Sequence, residues 1–149
     1  MAIKKGRGMF TNKRPYRIEW QDCDPAGIVF YPRYFAMFDT STTYLFEKAL
    51  GMRKRDFIKH YDFIGYPMVD TRAKFHIPGV FGDDVEIHTA ITELGRSSFS
   101  IEHKLMKDGQ VAVEGWEKRV WVGKDPANPE RLKSKPLPPD VVEKLSKSV

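Results

Sequence analysis

From Pro32 onward no further Pro or Gly interrupts the chain until Gly51. Proline suits the first turn of a helix and glycine its end, so this spacing predicts a helix over Pro32 to Leu50. On it Phe35, Phe38, Thr42, Leu45, Phe46 and Ala49 recur at three- and four-residue steps, a stripe suited to packing against a sheet. Asp39 stands inside or at the edge of that stripe, where a carboxylate needs a partner. It reaches solvent or bonds a neighbouring Ser41 or Thr43, or else it serves a pocket by accepting a hydrogen bond from a polar group on a substrate.

Elsewhere the period is two. Tyr16, Ile18 and Trp20 alternate with Arg17, Glu19 and Gln21; Val85, Ile87, Thr89 and Ile91 alternate with Glu86, His88, Ala90 and Thr92; Phe99, Ile101, His103 and Leu105 alternate with Ser100, Glu102, Lys104 and Met106. Lys107-Asp108-Gly109 supplies a hairpin turn. In the last strand the parity of Val111 and Val113 differs from that of Trp116, Val120 and Val122, which predicts a bulge or bend at Gly115. Met52 to Tyr61 reads as a short helix or loop, Asp125 to Pro139 as a Pro-rich charged tail, and Asp140 to Lys147 as a short amphipathic helix. Residues 1–13 are basic and lack periodicity, and read as a loose arm before a single domain over 14–149.

Just before the long helix lies Asp22-Cys23-Asp24-Pro25-Ala26-Gly27. Two carboxylates at a helix N-terminus, with its unpaired N–H groups and positive dipole end, can act on a carbonyl: the donors favour an oxyanion while Asp24 attacks or deprotonates water. The same residues also make an ordinary turn in which Asp caps amides and Gly takes a positive φ. Cys23 between two acids is disfavoured as a thiolate nucleophile. None of His60, His76, His88 or His103 stands at metal-ligand spacing, and one cysteine cannot build a thiolate zinc site, so no metal is expected. Nucleophile-elbow, dinucleotide-loop and phosphate-loop patterns are lacking. The net charge of +5 is scattered among acids, which disfavours nucleic acid but suffices for a phosphate-bearing small molecule. A single cysteine, no apolar leader and no membrane-length apolar run predict a cytoplasmic chain with no membrane partner.

The run Trp20-Gln21-Asp22-Cys23-Asp24-Pro25-Ala26-Gly27-Ile28-Val29-Phe30-Tyr31-Pro32-Arg33-Tyr34-Phe35 resembles the signature of the 4-hydroxybenzoyl-CoA thioesterase family. Ile64-Gly65-Tyr66-Pro67-Met68-Val69, Gly82-Asp83-Asp84-Val85 and Gly95-Arg96-Ser97-Ser98-Phe99 extend the likeness over roughly Arg14 to Lys124. The resemblance implies an α+β hot-dog fold, a curved antiparallel sheet around one long helix. It also implies a thioesterase whose catalytic carboxylate is Asp24, and a homodimer or homotetramer with pockets shared between subunits. On this reading the Tyr31 backbone and Gly65 polarise the carbonyl, Asp39 meets the acyl end, and Arg96, Ser97 and Ser98 meet coenzyme A phosphates. Arg119 is a weaker candidate for the same phosphates, since a strand arginine is ordinarily a solvated face. Asp22 is assigned to fixing the loop. Coenzyme A is part of the substrate and no separate cofactor is expected. Its thiol has a pKa near about 8.5, so expulsion needs little acid help and histidine is dispensable. The expected substrate is an aromatic, hydroxybenzoyl-type acyl-CoA. The alternatives are a thioesterase for aliphatic acyl-CoA or an acyl carrier protein, a non-catalytic acyl-CoA binding module, and a dehydratase, which needs a pocket histidine that the signature lacks.

Overall fold

The computed structural model describes residues 4–5 and 8–148. Helix α1 spans Pro32–Leu50, the predicted bounds, with Pro at its start and Gly51 at φ 69° closing it through an N–H bond to the Glu47 carbonyl. Only a residue tolerant of left-handed backbone can end the helix this way. Two short helices follow, α2 over Lys54–His60 and α3 over Pro139–Leu145. No helix among the described residues is long and apolar enough to cross a membrane.

Strands β1 (Lys4–Lys5), β2 (Thr11–Arg17), β3 (Met68–Phe75), β4 (Asp84–Leu94), β5 (Ser98–Lys107) and β6 (Gln110–Val120) form one antiparallel sheet. Its order is β1-β4-β5-β6-β3, with β2 also paired to β4, so among the described residues β3 is a free edge. The turn between β5 and β6 uses Asp108 and Gly109, both at positive φ, as the sequence predicts. Val85, Ile87, Thr89 and Ile91 of β4 and Phe99, Ile101, His103 and Leu105 of β5 are all buried against α1. This is the hot-dog arrangement: one helix on the inner face of one sheet.

The core is divided lengthwise. Phe46, Phe57, Phe63, Tyr66, Phe99 and Trp121 anchor one cluster, under α2 and α3; Ile18, Phe38, Ile87, Leu105 and Val113 anchor the other, under the first turns of α1. The buried face of α1 is Tyr34, Met37, Phe38, Ser41, Thr42, Leu45, Phe46 and Leu50, whereas Phe35 and Ala49 are only half-buried. The predicted stripe is thus rotated, because Tyr34 and Met37 also carry large apolar side chains and spacing alone could not choose between them and Phe35.

Several expectations are corrected. The segment before Arg14 is not a loose arm in its described part: Met9 and Phe10 are buried in the core, β2 starts at Thr11, and Lys4–Lys5 pair with Leu94 and Glu93. Met1, Ala2, Ile3, Gly6 and Arg7, the rest of that segment up to Gly8, lie outside the described residues. Trp20 does not continue the first strand; the backbone turns into a single 3-10 turn, Trp20–Asp22, and the indole packs edge-on against Phe81 at 5.3 Å while 61 % exposed. Gly115 is no bulge. It pairs with both neighbours, and a Cβ there would lie 2.5 Å from the Phe38 ring, so the glycine admits the helix. The register shifts instead between Leu105 and Met106, and Ala112 and Val113 are both buried, so Glu117 and Arg119 face inward while Trp116 lies outside under Arg72. The Pro-rich tail contains a hairpin, β7 (Val122–Asp125) with β8 (Asn128–Ser134).

Candidate active site

The sequence candidates fall into two groups at opposite ends of the sheet. At the first end, Asp22 is fully buried and every bond it makes fixes the loop. Its carboxylate accepts from Tyr16 Oη at 2.5 Å, the Glu19 N–H at 2.9 Å, and Arg33 Nε and Nη2 at 3.2 and 3.0 Å, while its carbonyl accepts the Phe30 N–H. Burial first, then the bond to the Asp22 anion, pushes the Tyr16 phenol well above its ordinary value, so it remains a donor. This is the loop-fixing role the turn position suggested.

Asp24 is different. It is half-buried, and Oδ1 accepts the Ala26 N–H at 2.8 Å, an Asx turn closed further by Gly27 at φ 80°. Among the described residues no donor is bonded to Oδ2, which is left free to act. Nearby, Arg33 N–H bonds the Phe30 carbonyl and Tyr34 N–H the Tyr31 carbonyl, and Pro32 has no N–H. The Tyr31 N–H alone of this group makes no bond among the described residues, so the oxyanion donors expected of a whole helix start reduce to one amide. Cys23 beside it has its thiol pushed up by burial and by the Asp22 and Asp24 charges, which removes it as a nucleophile. A cleft of about 230 Å³ opens next to this amide, lined by Ile28, Tyr31, Tyr34, Phe75 and Ile77 among others, and Asp24 is not one of its walls.

At the other end stand Gly65, Asp39, Arg119 and the turn Arg96-Ser97-Ser98. Gly65 bridges to Val122, the Tyr66 carbonyl accepts Arg119 Nη1 at 3.1 Å, and the Ser97 carbonyl accepts the Trp121 N–H at 2.7 Å, so these segments abut. Arg96 is exposed with Nη1 on Ser97 Oγ at 3.1 Å, a cation free to meet an anion.

Arg119 is not on a solvated face. It is 4 % exposed, and its guanidinium is spent on Glu117 (Nε to Oε1, 2.8 Å), Asp39 (Nη2 to Oδ1, 2.6 Å) and the Tyr66 carbonyl. Each of its three nitrogens already bonds a protein acceptor and the group is buried, so it sits as a tethered internal cation and not, like Arg96, as an exposed one that a coenzyme A phosphate can reach. Asp39 is likewise outside the apolar stripe, its side chain 63 % exposed, and its partner is Arg119 rather than Ser41 or Thr43. Glu117 and His103, which sequence reasoning passed over, complete a buried network: Glu117 Oε2 contacts His103 Nε2 at 3.0 Å, Glu117 Oε1 also accepts Thr42 Oγ1 at 2.7 Å, and His103 Nδ1 contacts Thr89 Oγ1 at 2.9 Å. Burial opposes charge on Glu117, but His103 and then Arg119 outweigh it and hold the carboxyl at about 2. The available signal was parity, since Glu117 and Arg119 share a face two residues apart.

Distance separates the two groups. The rings of Tyr31 and Phe75 lie 6.3 Å apart, so Asp24 and Tyr31 sit at the far end of β3 from Gly65. The strand from Met68 to Phe75 spans about 23 Å at its usual rise. Asp39 is eight residues beyond Tyr31 on α1, a rise of about 12 Å.

A family model described as the thioesterase-like superfamily matches residues 18–145. The 4-hydroxybenzoyl-CoA thioesterase of Pseudomonas sp. strain CBS-3 is 33% identical over 135 residues, 87% of this chain and 94% of that protein. A 1,4-dihydroxy-2-naphthoyl-CoA hydrolase of Synechococcus elongatus is 30% identical over 62% of this chain and 68% of its own length. Among solved structures, a 4-hydroxybenzoyl-CoA thioesterase variant in complex with 4-hydroxybenzoyl-CoA superimposes with TM-score 0.81 at 31% identity, covering 92% of this chain and 99% of that one. A gentisyl-coenzyme A thioesterase superimposes with TM-score 0.77 at 33% identity over 90% of this chain and 99% of that one.

Proposed function

Because the chain belongs to the thioesterase-like superfamily and is a hydrolase of CoA thioesters, we propose that its substrate is an aromatic acyl-CoA and that Asp24 is the carboxylate that cleaves it. The observation that carries this is the loop that enters α1: among the described residues it holds a carboxylate with one oxygen unbonded and, seven residues on, an amide N–H with no partner. A carbonyl oxygen on the Tyr31 N–H gains charge stabilisation where charge develops, and Asp24 either attacks the carbon to form an anhydride or takes a proton from water. In the anhydride route the C–S bond breaks as the thiolate leaves, and water then cleaves the anhydride to release the acid and restore the Asp24 carboxylate; in the other route water adds to the acyl carbon directly, and in both the thiolate leaves with little need of an acid.

The aromatic relatives favour a ring as the acyl group, and so does the aromatic cleft beside Tyr31. Asp39 suits a ring hydroxyl, and the exposed Arg96 with Ser97 and Ser98 suits the coenzyme A phosphates. Within one chain these groups stand too far from Asp24 for a single aromatic ring to touch both, since two helical turns alone rise about 11 Å. An antiparallel pairing of two β3 edges relieves this, because it sets the start of one strand beside the end of the other. Met68, Val69 and Phe75 on that edge are 37 %, 57 % and 51 % exposed, an apolar edge that asks for cover. The active unit on this reading is a homodimer, or a tetramer of such dimers, whose pocket takes Asp24 and Tyr31 from one protomer and Asp39 and Gly65 from its partner.

The test is turnover of 4-hydroxybenzoyl-, benzoyl-, phenylacetyl- and short aliphatic CoA esters by the wild-type chain and by Asp24→Asn. Aromatic esters should lead the panel, and Asp24→Asn should lose about 10²- to 10⁴-fold in kcat. Unchanged kcat in a folded Asp24→Asn protein removes the assignment.

A further inference from the structure

Behind the exposed Asp39 runs a chain of buried groups that the hydrolysis itself does not use. An exposed carboxylate on a helix ordinarily samples several rotamers, and ordering it costs entropy. Here Asp39 Oδ1 is held at 2.6 Å by Arg119 Nη2. That guanidinium cannot swing away, being 4 % exposed and tied on its other two sides to Glu117 and to the Tyr66 carbonyl. Glu117 is held in its turn by Thr42 and His103, and His103 by Thr89 and by Phe38, whose ring stacks on it at 4.7 Å. Among the described residues no buried side-chain nitrogen or oxygen lacks a partner, so the chain has slack only at its outer end. There Asp39 Oδ2 carries no bond among the described residues.

We propose that Arg119 is a positioning residue for substrate choice: it locks the Asp39 carboxylate as an acceptor facing the acyl end of the pocket, so that acyl rings bearing a hydroxyl are favoured over rings without one. This rests on the reading of Asp39 as the residue that meets the acyl group. The physical reason is pre-organisation. A hydroxyl that meets a fixed anion gains the full charge-assisted bond, whereas a mobile carboxylate must first be ordered. Arginine is needed because its planar fork can bind Glu117 and Asp39 at once through separate nitrogens, which a lysine ammonium on a flexible stem does not reproduce.

The experiment compares kcat/KM for 4-hydroxybenzoyl-CoA with that for benzoyl-CoA in the wild-type chain, Asp39→Asn, Arg119→Lys, Arg119→Met and the double variant Asp39→Asn/Arg119→Met. The proposal expects the hydroxybenzoyl preference to fall about tenfold or more in Arg119→Met, chiefly through KM, and by less in Arg119→Lys. It also expects no further fall when Arg119→Met is added to Asp39→Asn, because the arginine acts only through the aspartate. If Asp39→Asn leaves the preference intact, the reading of Asp39 fails. If Asp39→Asn abolishes the preference but folded Arg119→Met keeps it, or lowers it equally in the Asp39→Asn background, the positioning role fails while that reading stands. Should Arg119→Met not fold, Arg119→Lys decides: full preference in that variant overturns the proposal.

Discussion

Two aspartates two residues apart in one loop have opposite surroundings. Asp22 is buried with four donors on its carboxylate, and Asp24, half-buried, keeps one oxygen without a donor among the described residues. Asp22→Asn turns one of the two acceptor oxygens into a donor, facing either Arg33 or the Glu19 N–H and Tyr16 hydroxyl, so it should lower thermal stability by about 1 to 3 kcal/mol while leaving more turnover than Asp24→Asn. Melting curves and kcat on the same preparations check the contrast. Glu117 gives the chain an acid-sensitive joint. Its folded-state carboxyl lies at about 2, below the ordinary 4.5, so its contribution to stability is complete above about pH 4.5 and is lost as the pH falls toward 2. Glu117→Gln should therefore be less stable than wild type at pH 7 and lose less on acidification, as denaturant titrations across that range would reveal. The Asp24 loop was legible in the sequence because turn chemistry and helix entry are local. The Glu117–Arg119 pair was not, because a charged residue on a strand gives no local sign that a histidine from the neighbouring strand awaits it.

Among the elements, α1 was the most readable. Its bounds follow from Pro32 and Gly51, yet its rotation does not follow from them, being set by the groups that press on it. Gly115 is one of these: it lets the Phe38 ring approach β6 and stack on His103. Gly115→Ala should cost about 1 to 3 kcal/mol through overpacking, and Phe38→Leu should restore part of the loss in the double variant. Thermal melts of the single and double variants check this, and a fully additive loss would show that the ring is not the obstacle. The β7–β8 hairpin was missed for a related reason. All seven β8 residues are exposed, so no alternation of apolar and polar side chains marks the strand.

For the whole molecule, the decisive feature is the exposed edge β3. Val69→Lys and Phe75→Lys together should break a two-fold pairing there by like-charge repulsion and lost apolar cover. If the proposed dimer forms there, sedimentation should then report a monomer with unchanged far-ultraviolet circular dichroism and turnover lowered about 10²-fold or more, because in that proposal each pocket takes half its residues from the partner. A monomer with full activity would mean that one chain holds a complete site.

By itself the sequence determined the long helix, the paired strands, the tight turn at Asp108-Gly109 and the carboxylate loop, since each is written in residues a few positions apart. Tertiary structure alone decided which face of α1 is buried, that Arg119 is spent on Glu117 and Asp39, and that the candidate residues stand at opposite ends of a sheet. Those outcomes depend on strand register and on contacts between residues some 60 to 80 positions apart, where a one-residue slip exchanges inside for outside.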